Sequence, residues 1–532
     1  MTRVIHGKRG LTSEWSFTSG RSVEDPFNAI TLDVVLKDED NREWIVPCYW
    51  AGGDEWRVRF APPHEGDYAF RTICDSGDSD LGGREGLLRA SDYDGDNELI
   101  EHGPIIVSPD RRHFQHADGI PFFWLADTWW MGLCRRLRWP EDFQLLTQDR
   151  KAKGFTVIQI VAGLYPDMPA FDERGSNEAG FPWEREYSRV NPSYFDMADL
   201  RVHWLVSNGL APCVVGCWGY FLRWMGIERM KRHWRYLVAR WGSYPVFWCL
   251  AGEATMPYYL SDDKEEDRAF QKSGWTEVAR YVRELDPYRR PITIHPTNIG
   301  RDQVLDPGVL DFDMLQTGHG DRESLPKHVE SIRESLSRSP KMPVLVGEVC
   351  YEGILEASRP EMQRILFWSA MLSGTAGHTY GANGIWQLNT RERAFGPSPH
   401  GGNWGITPWE DAYQLPGSSH LGIAKSILDD YRWWEFEPHS EWVDPHWDES
   451  NFFQPYSAGI PSQIRVTYIP KHGRVKMLSL DSEARYDAIY VNPKTGERHP
   501  IGTVEPDENG EWQAPSPPIY QDWVLVLERL DQ

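Results

Sequence analysis

Two short apolar segments of the sequence each run directly into a single glutamate. Residues 245–252 precede Glu253, and residues 343–347 precede Glu348. Aromatic and β-branched residues bounded by proline and glycine predict buried strands. Two carboxylates about 5 Å apart suit the acid/base and nucleophile roles of retaining glycoside hydrolysis, whereas about 6.5–9.5 Å favours inversion. This chemistry requires a fold that brings both glutamates to one pocket.

From about residue 114 the sequence repeats strand, loop and helix. Strands are predicted at 121–128, 155–161, 212–218, 245–253, 291–295, 312–317, 343–348 and 376–381. Helices are predicted at 140–153, 195–208, 227–241, 262–285, 324–337, 360–373 and near 418–434. Eight strand–helix units predict a (β/α)8 TIM barrel of the α/β class. A doubly wound open sheet is the alternative, but no Gly-rich turn follows the first strand.

In such a barrel, strands four and seven can present their carboxyl ends to one pocket. Alternation supports this, because the residues two and four positions before Glu253 and before Glu348 are apolar and share a face with the glutamate. The alternative is that either glutamate is a structural acid in a loop salt bridge. Two glutamates on the expected strands favour the catalytic interpretation.

The segments flanking the barrel alternate short strands with turns. Strands are predicted at 29–36, 43–50, 56–60 and 67–72, and again at 463–469, 486–491 and 523–527. The sequence therefore predicts an N-terminal antiparallel β-sandwich (1–113), the barrel (114–437) and a smaller C-terminal β-sandwich (438–532).

Polar and aromatic residues at the other strand ends are candidates for sugar binding, because carboxylates and amides bind hydroxyl groups and indoles stack on sugar rings. They are Asp127, Trp129, Trp130, Gln159, Trp218, His295, Gln316, His319, Tyr351, Tyr380, Asn383 and Trp386. Each also has an ordinary structural explanation, such as a turn cap or a core histidine, and about half are expected in the pocket. The aromatic residues of the 164–192 loop either contact substrate or pack on the barrel; they are Tyr165, Phe171, Phe181 and Trp183.

The amino-acid composition and net charge limit the kinds of molecule that the protein is expected to bind. A net charge of −23 argues against nucleic acid and anionic membranes. The 26 Trp suit a carbohydrate-active protein, although large cores also use Trp. The N-terminal residues contain no visible signal peptide, so a cytoplasmic location is expected. The seven cysteines are expected to be reduced, and zinc at Cys213 and Cys217 is disfavoured because no other ligands lie nearby.

Two other classes of enzyme are weaker. A metal-dependent barrel hydrolase would use His295, His319 and His378, but strand one lacks a His-x-His pair and strand four lacks Lys or His. A serine nucleophile is disfavoured because no Gly-x-Ser-x-Gly elbow is present. No metal or cofactor is therefore expected. A non-catalytic carbohydrate-binding protein remains the alternative from a different class.

Four barrel segments resemble the apiosidase-like glycoside hydrolases of the large retaining (β/α)8 clan. They are FFWLADT (122–128), RKAKGFTVIQ (150–159), FWCLAGE (247–253) and VLVGEVCYEG (344–353). The flanking FAPPHEGDY (60–68) and NPKTG (492–496) are similar to segments of the domains that accompany this family. The resemblance implies that Glu348 is the nucleophile and Glu253 the acid/base.

The sequence departs from the family pattern at two positions. Members usually carry Asp where Glu253 stands, and many related enzymes carry Asn where this chain has Gly252. The expected function is therefore glycosidase action on a plant or microbial oligo- or polysaccharide, with the sugar left open.

Overall fold

The computed structural model describes residues 3–530. Its centre is a sheet of eight parallel strands: β1 (Trp124–Thr128), β2 (Val157–Val161), β3 (Ala211–Val215), β4 (Phe247–Cys249), β5 (Ile292–Thr293), β6 (Asp313–Gln316), β7 (Val344–Glu348) and β8 (Gly377–Tyr380). The strand order is β5-β4-β3-β2-β1-β8-β7-β6. Strand β8 pairs with β1, so the sheet curves into a barrel and the predicted TIM fold is confirmed.

The barrel closes between β5 and β6 without a regular ladder. The backbone N–H of Asp311 donates to the carbonyl of Ile292 (2.8 Å), and the Thr293 hydroxyl donates to the carbonyl of Phe312 (2.9 Å). These bonds partly satisfy the facing strand edges, which would otherwise leave buried backbone groups unpaired.

Helices surround the barrel at α1 (Glu141–Ala152), α2 (Pro192–Ser207), α3 (Phe221–Met225), α4 (Ile227–Trp241), α5 (Lys264–Leu285), α6 (Ser324–Ser337), α7 (Pro360–Met371), α8 (Trp409–Ala412) and α9 (Pro416–Asp429). Seven helices were predicted for the eight units, with none between the fifth and sixth strands, and the structure agrees. Between β5 and β6 the chain forms only 3-10 turns at Gly300–Gln303 and Pro307–Val309. The prolines and glycines of this connection disfavour a continuous helix.

The N-terminal domain contains two packed sheets. One has five strands in the order Arg3–Lys8, Glu85–Ser91, Gly66–Cys74, Leu32–Lys37 and Glu43–Pro47; the other orders Ser13–Thr18, Glu55–Phe60 and Tyr49–Gly52. Short helices occur at Pro26–Ala29 and Glu98–Glu101. The pairing is antiparallel as predicted, except that Arg3–Lys8 lies parallel to Glu85–Ser91.

A small antiparallel sheet covers the amino-terminal end of the barrel. It consists of Ile105–Val107, Phe114–His116 and Pro121–Phe122, so it spans the predicted boundary at residue 113. The Phe114 ring lies 5.3 Å from Phe247 and 5.0 Å from Phe312. Burying such a ring contributes about 1.5–3 kcal/mol. The pocket must therefore open at the other end.

The C-terminal domain also has two sheets. Six strands run in the order Glu437–Pro438, Tyr456–Ile460, Ile464–Ile469, Trp523–Arg529, Tyr486–Val491 and Arg498–Val504, and three more are Val443–Asp444, Lys476–Met477 and Trp512–Gln513. Arg364 of α7 joins this domain to the barrel through two hydrogen bonds to Asp522 (2.6 and 2.8 Å).

A buried charge cluster joins the N-terminal domain to the barrel. Asp199 of α2 accepts hydrogen bonds from Arg59 of the N-terminal domain (2.6 Å), from Arg240 of α4 (2.7 Å) and from the Trp241 indole (2.7 Å). Burial alone would raise the pKa of Asp199, but the two guanidinium groups lower it to about 2. The carboxylate is therefore ionised and neutralised from both domains.

The cysteines agree with the expectation of reduced thiols. All seven cysteines are free, and all except Cys74 are buried. Within residues 3–530, no helix combines the length and apolar character that a membrane crossing requires.

A second buried ion pair fixes the end of β1 to α1. Asp127 accepts hydrogen bonds from Arg150 Nε (2.6 Å), from the Trp129 indole (2.8 Å) and from the backbone N–H of Thr128 (2.8 Å). Both side chains of the ion pair are fully buried. Arg150 also pairs with Asp149, which is partly buried, so Asp127 supplies the fully buried one of two carboxylates around this guanidinium.

We expect Asp127→Ala to lower the free energy of unfolding by about 3 kcal/mol, the lower end of the range for a broken buried pair, because Arg150 would keep only Asp149 and the Trp129 indole would lose its acceptor. Urea denaturation followed by circular dichroism measures this change. Asp67→Ala, which removes an exposed partner of Arg89, is the control and should match the wild type. An Asp127→Ala variant as stable as that control would contradict the assignment.

Candidate active site

The two glutamates face each other across the carboxyl end of the barrel. Glu348 ends β7, and Glu253 follows β4 in a left-handed backbone conformation (φ 40°). Gln316, at the end of β6, donates through Nε2 to Glu253 Oε1 (3.1 Å) and to Glu348 Oε1 (3.3 Å). One amide nitrogen therefore binds both carboxylates.

Gly252 is explained by the neighbouring indole. A Cβ atom at this position would lie 2.3 Å from the ring of Trp218, which is closer than side chains tolerate. The indole occupies the space that a larger residue would need. The departure from the Asn of related enzymes is therefore coupled to Trp218.

Glu348 is held as an anion. His319 Nε2 lies 2.9 Å from Oε1, and His295 Nε2 lies 3.1 Å from Oε2. The backbone N–H of Glu253 donates to His295 Nδ1 (3.4 Å), which assigns the proton of a neutral ring to Nε2, facing Glu348. Burial alone would raise the pKa of Glu348, but the hydrogen bonds and charges of the two histidines lower it to about 2.

Glu253 has the opposite environment. Burial, followed by the negative charges of Glu348 and Asp167, raises its pKa to about 7, while Gln316 and His295 oppose the shift. Near neutral pH the pocket thus contains one ionised carboxylate and one that can carry a proton.

Aromatic rings form the walls of a pocket of about 200 Å³. The Tyr351 ring stacks between His319 (4.8 Å) and Trp386 (5.8 Å). Trp130 donates to the Tyr351 hydroxyl (3.1 Å) and packs edge-on against Trp218 (5.6 Å). The pocket therefore presents apolar ring faces beside the two carboxylates, as sugar binding requires.

Most of the predicted site residues meet in this pocket. Its lining includes Glu253, Glu348, Trp130, Trp218, Gln316, His319, Tyr351 and Trp386. His295 lies fully buried behind Glu348 and touches its carboxylate.

Five predicted residues do not line the pocket: Asp127, Trp129, Gln159, Tyr380 and Asn383. Asp127 and Trp129 belong to the buried network around Arg150. Gln159 donates to the carbonyl of Gly347 (2.7 Å), next to Glu348.

The last two are held by the loops that follow β7 and β8. Tyr380 donates to Glu352 (2.6 Å), and the amide of Asn383 donates to Thr407 (3.4 Å). Like the network at β1, these side chains make contacts outside the lining of the pocket.

The aromatic residues of the 164–192 loop pack together instead of lining the pocket. Tyr165, Phe171, Phe181 and Trp183 surround a separate small cavity. Asp167 belongs to the same loop and lies between Tyr165 and Phe171 in the sequence, and this residue does line the pocket. The sequence indicated that Asp167 could line the pocket, because it closely follows a predicted strand and has aromatic neighbours.

Six other lining residues were also missed: Pro166, Met256, Tyr259, Ile354, His400 and Trp404. They lie in long loops without periodicity, so no local pattern pointed to them. Tyr259 stacks on His400 at 4.7 Å, which brings together the loops that follow β4 and β8.

The histidines of the metal alternative do not converge. His295 and His319 contact Glu348, whereas His378 packs against Phe367 (5.5 Å) and His328 (6.3 Å). In the part of the chain that the structure describes, no group of three or more His, Cys, Asp or Glu has the arrangement of a metal site.

Comparison with known families agrees with this geometry. The model of the apiosidase-like catalytic domain matches residues 108–435. The chain belongs to the apiosidase-like glycoside hydrolases. A second model, a domain of unknown function (DUF5060), matches residues 11–75. No curated protein matches the chain. The predicted enzyme class is thus confirmed, and a carbohydrate substrate follows from it.

Three solved structures share the fold of this apiosidase-like protein. A glycoside hydrolase is 20% identical (TM-score 0.67), covering 81% of this chain and 98% of its own. A family 5 glycoside hydrolase from Bacteroides vulgatus is 19% identical (TM-score 0.68), covering 81% and 94%. A candidate glycoside hydrolase from the same organism is 16% identical (TM-score 0.70), covering 99% and 100%. The similarity of the last extends over the flanking domains.

Proposed function

We propose that this protein hydrolyses a glycosidic bond of a plant or microbial oligo- or polysaccharide by a retaining double displacement. The observation that carries the proposal is the single Gln316 amide that binds both Glu253 and Glu348. The two N–H bonds of an amide diverge by about 120°, so oxygens bound by both lie about 5.5 Å apart. That estimate agrees with the carboxylate spacing of retaining enzymes and is too short for the water that inversion requires.

The opposite pKa shifts support a division of labour. Glu253, with a pKa of about 7, protonates the leaving oxygen and then deprotonates the attacking water. Glu348, ionised above a pKa of about 2, attacks the anomeric carbon and forms the glycosyl-enzyme intermediate. The negative charge of Glu348 itself raises the pKa of Glu253, so formation of the ester favours the change of Glu253 from acid to base.

The sugar is open between furanosides and pyranosides. Glu253 replaces the Asp usual in apiosidase-like proteins, and its side chain is longer by one methylene. Product analysis after incubation with a panel containing both ring types, apiosides and arabinofuranosides included, identifies the sugar.

We expect the sugar released first to keep the anomeric configuration of the substrate, because two successive displacements at one carbon restore it. Proton NMR during the first minutes of hydrolysis, before mutarotation, distinguishes the anomers. An inverted first product would remove the nucleophile role of Glu348.

Glu348→Gln should lower kcat by more than about 10³-fold, the scale of losing a positioned catalytic group. Steady-state assay on the substrate identified by the panel measures the loss, and circular dichroism checks the fold. Glu352→Gln is the matched control, because this buried glutamate lies four residues further on and binds Tyr380 and the backbone of Gly417 outside the pocket. Turnover by Glu348→Gln close to that of Glu352→Gln would refute the assignment.

The pH profile should be limited on its alkaline side by Glu253. Because the acid must be protonated, kcat/KM should fall about tenfold per pH unit above a pH of about 7. The nucleophile must be ionised, and its pKa of about 2 leaves it ionised throughout the mildly acidic range. Activity that rises steadily from pH 6 to pH 9 would contradict these roles.

A further inference from the structure

A third carboxylate, Asp167, lines the pocket together with Glu253 and Glu348. It follows β2 in a left-handed backbone conformation (φ 58°), which Asp tolerates better than most residues do. Tyr259, from the loop after β4, donates its hydroxyl to Asp167 Oδ1 (2.8 Å). Since Tyr259 in turn stacks on His400, three loops of the barrel fix the position of this carboxylate.

The second oxygen of Asp167 is available to a ligand. Within residues 3–530, no side chain or backbone group donates a hydrogen bond to Oδ2. A half-satisfied carboxylate at a pocket wall is suited to accept a hydroxyl hydrogen bond from a sugar, since bonds to charged groups are the stronger ones. Two residues of the lining, Trp218 and Trp386, have buried indole nitrogens without a partner among the described residues.

The charge of the pocket restricts which sugar fits. Its lining contains three carboxylates and, among residues 3–530, no Lys or Arg. Arg136, which borders the adjoining cavity, donates to the carbonyls of Arg174 (2.9 Å) and Gln387 (2.8 Å) and lies over the Phe395 ring. No guanidinium or ammonium group therefore faces a uronate, sulfate or phosphate, and the two imidazoles are already engaged, His319 by Glu348 and His400 by Ser398 and the Tyr259 ring. An acidic group would meet the negative charge of Glu348.

We infer that Asp167, positioned by Tyr259, binds a hydroxyl group of a neutral glycone and excludes acidic glycones from the pocket. The inference rests on the proposed hydrolysis and adds the substrate class. Asp167 is thus a specificity residue of the same pocket that contains the two glutamates.

The test compares matched 4-nitrophenyl glycosides of neutral sugars and of their uronic acids, such as galactoside with galacturonide and glucoside with glucuronide, together with xyloside and arabinofuranoside. For the cleaved neutral substrate, Asp167→Asn should lower kcat/KM by about ten- to a hundredfold, the value of one charge-assisted hydrogen bond. Asn is chosen because it keeps the left-handed backbone accessible. Tyr259→Phe should give a smaller loss in the same direction.

The matched control is Glu173→Gln. It removes one negative charge from the same loop at a side chain that is 81% exposed and paired with Arg135 on the surface. Its kcat/KM should equal that of the wild type. Thermal unfolding of each variant shows whether a loss of activity reflects loss of the fold.

A binding measurement separates this inference from the mechanism. Saturation-transfer NMR with the corresponding free sugars should show contact for a neutral sugar with the wild type and a weakened signal with Asp167→Asn. Hydrolysis with inversion, but with the same dependence on Asp167, would sink the retaining mechanism and leave the inference standing. The inference is overturned if uronides are cleaved or bound as well as the matching neutral sugars. It is also overturned if Asp167→Asn has the same kcat/KM as Glu173→Gln, or if the pocket binds no neutral sugar.

Discussion

Two buried carboxylates bound by one amide nitrogen are the constraint on which the rest of the site depends. Both cannot ionise freely in a pocket shielded from water, because the charge of each raises the pKa of the other. The protein resolves this by giving the two carboxylates different surroundings, an asymmetry of the site. Two histidines contact Glu348 and hold it as an anion, whereas Glu253 is left with burial and negative neighbours. The Gln316 amide donates to both carboxylates and, through its bond to Glu253, partly opposes the rise in the pKa of that residue.

This asymmetry has to be maintained by residues that never reach the pocket. The Asp127–Arg150 pair fixes the end of β1 to a helix, and Gln159 binds the carbonyl immediately before Glu348. Such contacts hold side chains within the small tolerance that a catalytic arrangement permits. Several residues with the chemistry of sugar ligands are therefore supports, and polar character at a strand end is consistent with either role.

The sequence allowed the barrel, its two glutamates and most of the aromatic wall to be predicted, because strand ends in a barrel converge on one face. What it could not reveal depends on partners distant in the chain. Asp127 looked like a ligand because the orientation of Arg150 cannot be read from local periodicity. His400 entered the pocket from a long loop after β8, where no repeating pattern constrains the path.

The Asp199 cluster bears on how this architecture can be divided. The catalytic family model begins at residue 108, yet Asp199, on helix α2 of the region it covers, takes one of its two cations from Arg59 of the N-terminal domain. A barrel excised at that border would retain the carboxylate and lose half of its neutralising charge, together with the surface that the N-terminal sheets cover. In the sequence the barrel looks like a separable domain, but its stability depends on its contacts with the N-terminal domain. The smallest portion of this chain that could be transplanted intact into another protein therefore includes the N-terminal domain.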